Sequence, residues 1–444
     1  MNLSHNEKML IDLLVAGGYK AYVVGGFIRD AIMGKSGGDV DITTSAKPLE
    51  IEKMLTENGI KYVETGIKHG TITAVVDGVP YEITTFRTDG EYTDNRHPKN
   101  VEFVSSVSQD LARRDFTVNA IAYNDYDGFI DLYGGAEDIK NKIIRAVGEP
   151  NKRFQEDALR IMRALRFASV LGFEIEQSTR QAIFNNAYLL KNIAAERIFA
   201  ELKKLLLGDN VERVLLEYKD VMAVIIPELL PCFDFEQNTK WHLYDVYTHI
   251  VKSVALAPKR DYMRLTLLLH DIGKPYCLRI DERGIDHFKG HPEKSAELAK
   301  RVLKRFKASN DITKRVLTLI SVHDDYITLD SADIKAWLRR LGEDMTLDYI
   351  DVKIADLKSH SLKYSQHEID TLYQIRKKTE GIIGSNEPYK ISQLAVNGND
   401  LIALGYSGKD IAVKLNELVN EVSKNPCLNS REQLLDIIKQ ADKK

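Results

Sequence analysis

Tyr22-Val-Val-Gly-Gly-Phe-Ile-Arg-Asp-Ala-Ile-Met-Gly-Lys-Ser-Gly-Gly-Asp-Val-Asp-Ile42 is the stretch on which the reading of this chain turns. Val23 and Val24 read as the end of a buried strand. Gly25 and Gly26 let the backbone turn tightly and leave no side chain between it and a ligand. Residues 27–33 read as one or two turns of helix, stopped by Gly34. The first amides of such a helix are free donors at the positive end of its dipole, which suits a phosphate. Arg29, in that first turn, is placed to add a charge-assisted contact. A second strand follows, in which alternation sets Asp39 and Asp41 on one face and Val40 and Ile42 on the other. Two carboxylates roughly 7 Å apart along a strand repel unless something positive lies between them. A hard divalent cation such as Mg²⁺ fills that role and can also hold a nucleotide's phosphates. The bland alternative is an acidic pair in a surface turn beside a Gly-rich loop. The two halves together, in this order, are the stronger signal.

The rest of the chain sets bounds on this reading. At 444 residues it is too long for one ordinary core, so two to four domains are expected. Lys and Arg total 62 against 65 Asp and Glu. A polyanionic partner therefore needs a local basic patch, because no global positive field exists. The three cysteines (Cys232, Cys277 and Cys427) are odd in number and far apart, which argues against a disulfide framework and fits a reducing cytoplasm. The N-terminus lacks a signal-peptide pattern, and no apolar run reaches membrane length.

Residues 7–16 read as a short amphipathic helix leading into the opening strand, and 48–59 as another helix. Strand signals follow at 61–64, 71–76 and 81–86, which together suggest a small α+β catalytic domain. Glu82 is either a solvated strand residue or a third acidic group beside the Asp pair. Residues 87–98 are almost free of apolar side chains and read as an exposed loop. Arg113-Arg114-Asp115 is either a paired surface group or a clamp for a triphosphate. Asn119 reads as a hydrogen-bonded core residue.

The stretch 156–167 reads as a helix. Ala158, Ile161, Met162 and Leu165 fall on one side, and Asp157, Arg160, Arg163 and Arg166 spiral down the other. The arginine stripe faces only Glu156 and Asp157, so it is expected to be unpaired and to attract an anion. Asp157 and Arg160 stand at i, i+3. A carboxylate only accepts and a guanidinium only donates. Side by side they match an amino donor next to a ring-nitrogen acceptor, the edge that cytosine and adenine present and that uracil and guanine reverse.

Gly25-Gly26-x-x-Arg29-Asp30, Asp39-x-Asp41, Arg113-Arg114-Asp115 and Glu156-Asp157-x-x-Arg160-x-x-Arg163, in this order, resemble the class II (bacterial-type) tRNA nucleotidyltransferases. These are the CCA-adding enzymes, relatives of bacterial poly(A) polymerases. The resemblance is closest over residues 20–205. It implies a head with a mixed sheet, followed by helical neck, body and tail. It implies Mg²⁺ at Asp39 and Asp41, triphosphate contacts from Gly26, Arg29 and Arg114, and a nucleotide-selecting helix with Asp157, Arg160, Arg163 and Arg166. The implied partners are tRNA, CTP and ATP, with no membrane. An A-adding enzyme and a poly(A) polymerase remain open as alternatives.

Boundaries are expected at 1–140 for the head, 141–208 for the neck, 209–365 for the body and 366–444 for the tail. In the body, His249, His270, Asp271, His291, His323 and Asp356 resemble the ligand order of the HD phosphohydrolase superfamily. Imidazole and carboxylate ligands together suit a second divalent metal. A structural role for these helices, and an HD phosphohydrolase with an RNA-binding head, stay open. The lysines and arginines of 293–307 form either a solvated face or one side of an RNA groove. The glycine-punctuated helices of the tail resemble the family's RNA-contacting C-terminus. The sequence leaves the oligomeric state undetermined.

Overall fold

The computed structural model describes residues 1–444 except 2, 36, 68–69, 90–100, 386 and 442–444. Most of the polar stretch 87–98 therefore lies outside the described residues. The chain forms two compact units, Met1–Pro227 and Glu228–Lys444.

The first unit opens with the His5–Ala16 helix, whose Ser4 and Glu7 form a capping box. Nine short strands then follow in chain order: β1 Ala21–Val24, β2 Asp41–Thr44, β3 Lys61–Gly66, β4 Thr71–Val76, β5 Val79–Thr85, β6 Arg87–Asp89, β7 Val101–Phe103, β8 Ile121–Asn124 and β9 Gly128–Asp131. Seven of them form one sheet in the order β3-β4-β5-β2-β1-β8-β9. The sheet is mixed, as expected: β2 and β5 run parallel and the other pairs antiparallel. β1 is buried at every residue, as its apolar run requires. Register then places the chemistry. Val24 pairs with Asp41 across β1 and β2, so Asp41 stands beside the turn that starts at Gly25. Asp41 also pairs with Glu82 on β5.

Past the head, the Leu159–Leu171 helix buries Ile161, Met162 and Leu165, and Ala158 just ahead of it is buried too. It packs against the Ala195–Leu206 helix. The neck is not wholly helical, because Ile143–Ile144 and Glu174–Ile175 pair as two short parallel strands. The Val211–Glu217 and Lys219–Ile225 helices lie within this first unit, although the sequence reading set the body's start at 209.

The second unit is helical apart from a small hairpin of Arg279–Ile280 with Asp286–His287. The Leu362–Gly384 helix runs through the expected body–tail boundary. The tail has its own apolar cluster, including Leu401, Leu415, Leu418, Leu434 and Ile438. It is also tied to the Ser331–Leu341 helix. Lys335, 1% exposed, donates to the Ser423 carbonyl at 3.1 Å and pairs with Glu387 at 2.7 Å. Arg339 reaches Ser423 and Asn420 at 2.7 and 2.9 Å.

Candidate active site and a second metal-binding centre

In the head, Gly25 holds φ +76°, a conformation that an L side chain resists, and the Gly26–Ile32 helix starts directly after it. A Cβ at Gly25 would lie 3.4 Å from Arg114 Nη1 and 3.6 Å from Asp41 Oδ2. The turn, the acid and the arginine thus meet at one point. Asp39 lies just before β2 rather than in it. The alternation still holds, with Asp39 and Asp41 exposed and Val40 and Ile42 buried. Partial burial and the neighbouring Glu82 raise the Asp41 carboxyl, Asp39 adds to this, and Arg114 opposes it. A carboxylate with two further acids beside it is a donor set that suits a divalent cation.

Arg114 is positioned by Asp110, which is fully buried and also holds Arg113 at 2.7 Å. Burial pushes Asp110 up, but Arg113 and Arg114 outweigh it and keep the carboxyl below its usual range. Arg114 Nη2 reaches Asp110 at 3.3 Å, while its buried Nε has no hydrogen-bond partner among the described residues. A buried orphan donor of this kind suits an anion. Arg29 is more committed than the sequence suggested: it is 8% exposed, pairs with Asp30 at 2.9 Å and donates to Asn119 Oδ1 at 2.8 Å. Asn119 in turn donates to Asp115 at 3.2 Å, which makes it the hydrogen-bonded core residue expected.

Two expectations about the arginine helix are corrected. Asp157 is not helical. It is extended (φ −137°, ψ 102°) at the break between the Pro150–Glu156 helix and the Leu159–Leu171 helix. Its carboxylate accepts from the Leu159 amide at 3.0 Å, a local bond that competes with helix continuation. Nor is the stripe unpaired. Arg160 pairs with Glu156 at 2.9 Å, Arg163 with Asp115 at 2.6 Å and Arg166 with Glu201 at 3.1 Å. The partners come from 48 or 35 residues away, or from within the preceding turn, and sequence spacing could not place the distant ones. Asp157 itself meets Arg197, which the sequence reading missed. Asp115 is buried in this network. Burial pushes it up, yet Arg163 and Asn119 win and hold it down at about 2.

The second unit brings together all six residues read from the HD pattern. His249 Nε2 lies 3.1 Å from Asp271 Oδ2 and 3.0 Å from Asp356 Oδ1. His270 Nε2 is 3.3 and 3.4 Å from the same two oxygens. His291 Nε2 stands 3.2 Å from Asp271 Oδ1, and His323 Nε2 3.7 Å. Asp271 therefore turns one oxygen to each histidine pair. The Nδ1 atoms of His270, His291 and His323 face the backbone carbonyls of Leu267, Phe288 and Ile320 at 2.7–2.8 Å, and His249 Nδ1 faces Ser359 Oγ at 2.7 Å. A proton on each Nδ1 leaves the Nε2 lone pairs aimed inward, the tautomer that a metal ligand needs. Both Asp271 oxygens and Asp356 Oδ1 are buried without an aligned hydrogen-bond donor. Burial lowers His270, but Asp271 and Asp356 outweigh it and raise it, so the carboxylates draw positive charge to this point, and a proton and a metal ion compete for the same Nε2 lone pair. Lone pairs and carboxylates converging in this way fit a divalent cation. His360, which the sequence reading did not single out, joins this centre in a group with His249 and Asp356. Lys274 also belongs to it, at 2.6 Å from Asp271.

The basic run of the His291–Arg305 helix is partly neutralised: Lys294 pairs with Glu297 at 2.8 Å, Arg301 pairs with the same Glu297, and Arg305 pairs with Glu228 at 2.7 Å. Cys232, Cys277 and Cys427 are free thiols. No helix among the described residues is long and apolar enough to cross a membrane.

A Gly-Gly turn beside strand carboxylates on a mixed sheet, joined in one chain to an HD-type helical unit, marks a nucleotidyltransferase-type head with an HD domain. Family models agree: the poly A polymerase head domain matches residues 21–145, a probable RNA and SrmB-binding site of polymerase A matches 172–233, and the HD domain matches 242–359. Among solved structures, the chain is similar to the Bacillus stearothermophilus CCA-adding enzyme in complex with CTP, at 30% identity and TM-score 0.72 over 98% of both chains. The Thermotoga maritima CCA-adding enzyme complexed with tRNA shares the fold at 19% identity and TM-score 0.62, over 99% of this chain and 96% of that one. The curated CCA-adding enzyme of Anoxybacillus flavithermus is 48% identical over 221 residues, 50% of this chain and 55% of the relative. That of Geobacillus stearothermophilus is 50% identical over 206 residues, 46% and 50% of the two chains. These matches span about half the length of the curated relatives. The chain belongs to the CCA-adding enzyme family.

Proposed function

We propose that this protein adds CMP and AMP, from CTP and ATP, to the 3′ end of tRNA without a nucleic acid template. The observation that carries the reading is the meeting of Gly25, Asp41 and Arg114 at one point of the head. In this reaction the RNA's terminal 3′-oxygen attacks the α-phosphorus, and pyrophosphate leaves. Asp39 and Asp41 would hold Mg²⁺, with Glu82 next to Asp41 in register. Bound there, the ion lowers the pKa of the hydroxyl and neutralises charge on the phosphates. The chain's own work is positioning and charge stabilisation. Gly26 leaves room for the triphosphate, and Arg114 turns its unpartnered Nε toward the anion. Arg29 stiffens the start of the helix through Asn119.

Asp157 and Arg160 select the base by the acceptor–donor order that cytosine and adenine share. Each is oriented by a partner, Arg197 on Asp157 and Glu156 on Arg160. Arg163 and Arg166 line the same helix and are fixed by Asp115 and Glu201. The tRNA is recognised by shape and backbone rather than by sequence, in the cytoplasm, a setting that the three free thiols suit.

The test supplies tRNAs ending at the discriminator base, in C and in CC, with CTP and ATP separately and together. Addition to all three supports the reading. Addition only to the CC-ended substrate converts it to an A-adding enzyme, and long adenosine tails convert it to a poly(A) polymerase. Asp39→Ala abolishes addition if the head is the catalytic unit.

A second reading concerns the HD centre. The inward Nε2 atoms and the Asp271 and Asp356 carboxylates that face them favour a divalent metal and phosphoester hydrolysis there. His270→Ala with Asp271→Ala then removes Mn²⁺ binding and hydrolysis and spares nucleotide addition.

A further inference from the structure

Phe167 stands on the Leu159–Leu171 helix beside Arg163 and Arg166, and it is 7% exposed. A buried ring on the apolar side of a helix is ordinary core packing. The surroundings of this ring are not ordinary. Three guanidinium groups lie against it, with Cζ of Arg166 at 4.1 Å from the ring centroid, Arg29 at 5.2 Å and Arg163 at 5.5 Å. Arg163 and Arg166 belong to the same helix as Phe167. Arg29 comes from the Gly26–Ile32 helix, which starts at the Gly25 turn. The fully buried Phe116 ring meets Phe167 edge to face at 5.8 Å and holds its plane.

Three like charges in so small a space repel one another. Each has an acid of its own: Asp30 for Arg29, Asp115 for Arg163 and Glu201 for Arg166. The acids do not orient all three equally. Arg29 and Arg163 make aligned hydrogen bonds to theirs at 2.9 and 2.7 Å. Arg166 Nε stands 3.1 Å from Glu201 Oε2, yet neither atom has an aligned hydrogen-bond partner among the described residues. Glu201 thus supplies charge to Arg166, and the ring at 4.1 Å supplies the plane. Burial holds the Arg166 guanidinium below its usual pKa, Glu201 opposes this, and Arg163 and Arg29 add to it, so the charges of the other two reach it. The face of an aromatic ring is the negative part of its quadrupole and attracts a guanidinium. An aliphatic side chain fills the space without this attraction.

We propose that Phe167 is a positioning residue for nucleotide addition, its ring holding Arg29 on the triphosphate side of the site at a fixed spacing from Arg163 and Arg166 on the base-selecting helix. The proposal rests on the reading of the head as the place of CMP and AMP addition. A nucleotide has to reach its phosphate contacts and its base contacts at once. Where their spacing is set before it arrives, none of its binding energy is spent on ordering the arginines. Phe167 touches no reacting group in this arrangement and acts through the arginines alone.

The test is steady-state addition by the full chain to a tRNA ending at the discriminator base, with CTP and UTP as alternative donors. Phe167→Leu keeps an apolar side chain and removes the ring. The KM for CTP is expected to rise roughly tenfold, with kcat within about threefold. The ratio of kcat/KM for CTP over UTP is expected to fall severalfold. Phe167→Tyr keeps the ring face and returns both quantities to the parent values. Thermal unfolding of the same samples separates this from lost packing, which lowers Tm and moves neither KM nor the ratio. Arg29→Met, alone and combined with Phe167→Leu, closes a double-mutant cycle. Because the ring acts through the arginines, Phe167→Leu raises KM much less in the Arg29→Met background than in the parent. If Phe167→Leu does not fold, Phe167→Met replaces it in the same cycle, since the flexible thioether fills such a gap. A parent-like KM in the folded variant, or two substitutions whose effects simply multiply, overturns the proposal. Absence of CMP addition by the parent chain brings down the function and the proposal together. Parent turnover beside an unaltered Phe167 variant brings down the proposal alone.

Discussion

Asp157 and Arg197, 40 residues apart in sequence, meet at 3.2 Å. The acid lies in an extended break between two helices, and the arginine comes from the next long helix of the same unit. The carboxylate proposed to select the base is therefore held by a distant arginine as well as by the local Leu159 amide. Arg197→Met is expected to free Asp157 and to lower the ratio of kcat/KM for CTP over UTP roughly tenfold, the worth of a charged hydrogen bond. Asp157→Ala relaxes the ratio further. Steady-state kinetics with each triphosphate measures both, and an unchanged ratio in Asp157→Ala removes the acid from base selection.

Asp115 ties Arg163, Asn119 and the Phe116 amide together in a buried position. Its carboxyl is depressed to about 2 from the ordinary 3.8. A depressed carboxyl stabilises the fold above its unfolded value, and that stabilisation fades as pH falls from about 4 through about 2. Asp115→Asn should flatten this acid limb and cost roughly 2 kcal/mol at neutral pH. Urea midpoints between pH 2 and pH 7 give the comparison. Parallel curves for the two proteins contradict the assignment.

Gly25 combines a positive φ with close approach to Arg114 and Asp41. Gly25→Ala meets both penalties, about 1–2 kcal/mol of backbone strain and an obstructed site. Nucleotide addition should fall by at least about a hundredfold, the scale of losing a positioned active-site geometry. Thermal unfolding should shift by only a few degrees. Wild-type turnover in this variant would place the triphosphate elsewhere.

Gly273 follows the His270–Asp271 pair by two residues. A Cβ there would lie 2.6 Å from the Ser295 amide and 2.8 Å from the His291 carbonyl. Gly273→Ala should push the start of the His291–Arg305 helix away and move His291 with it. Mn²⁺ affinity, measured by calorimetry on the full chain, is expected to drop at least about tenfold, the usual cost of disturbing a ligand's support. CMP addition should persist. Undiminished metal binding would mean that His291 is dispensable as a ligand.

Strand and turn chemistry near the start of the chain was legible because it is local. Val23-Val24-Gly25-Gly26 and the alternation from Asp39 to Ile42 fix their own geometry, and register did the rest by setting Asp41 beside Val24. The six HD residues were legible by type and order, through their resemblance to a known ligand pattern. His360 and Lys274 were missed because nothing in their spacing marks them; only folding brings them against Asp356 and Asp271. The arginine helix shows the limit most clearly. Its apolar face followed from the 3.6-residue period and is buried as expected. Its charged face was misread, because Asp115 and Glu201 reach it from distant segments. The break at Asp157 was missed because a side chain capping the Leu159 amide competes with propensities that otherwise favour helix.

The ammonium of Lys335, sealed under the C-terminal helices and answered there by the Ser423 carbonyl and Glu387, carries a consequence for any shortened form of the chain. Cutting after Gly384 would strand that charge without either acceptor and bare the apolar wall around it. The last sixty residues are thus a keystone of the second unit, not a limb that can be lopped off and studied apart.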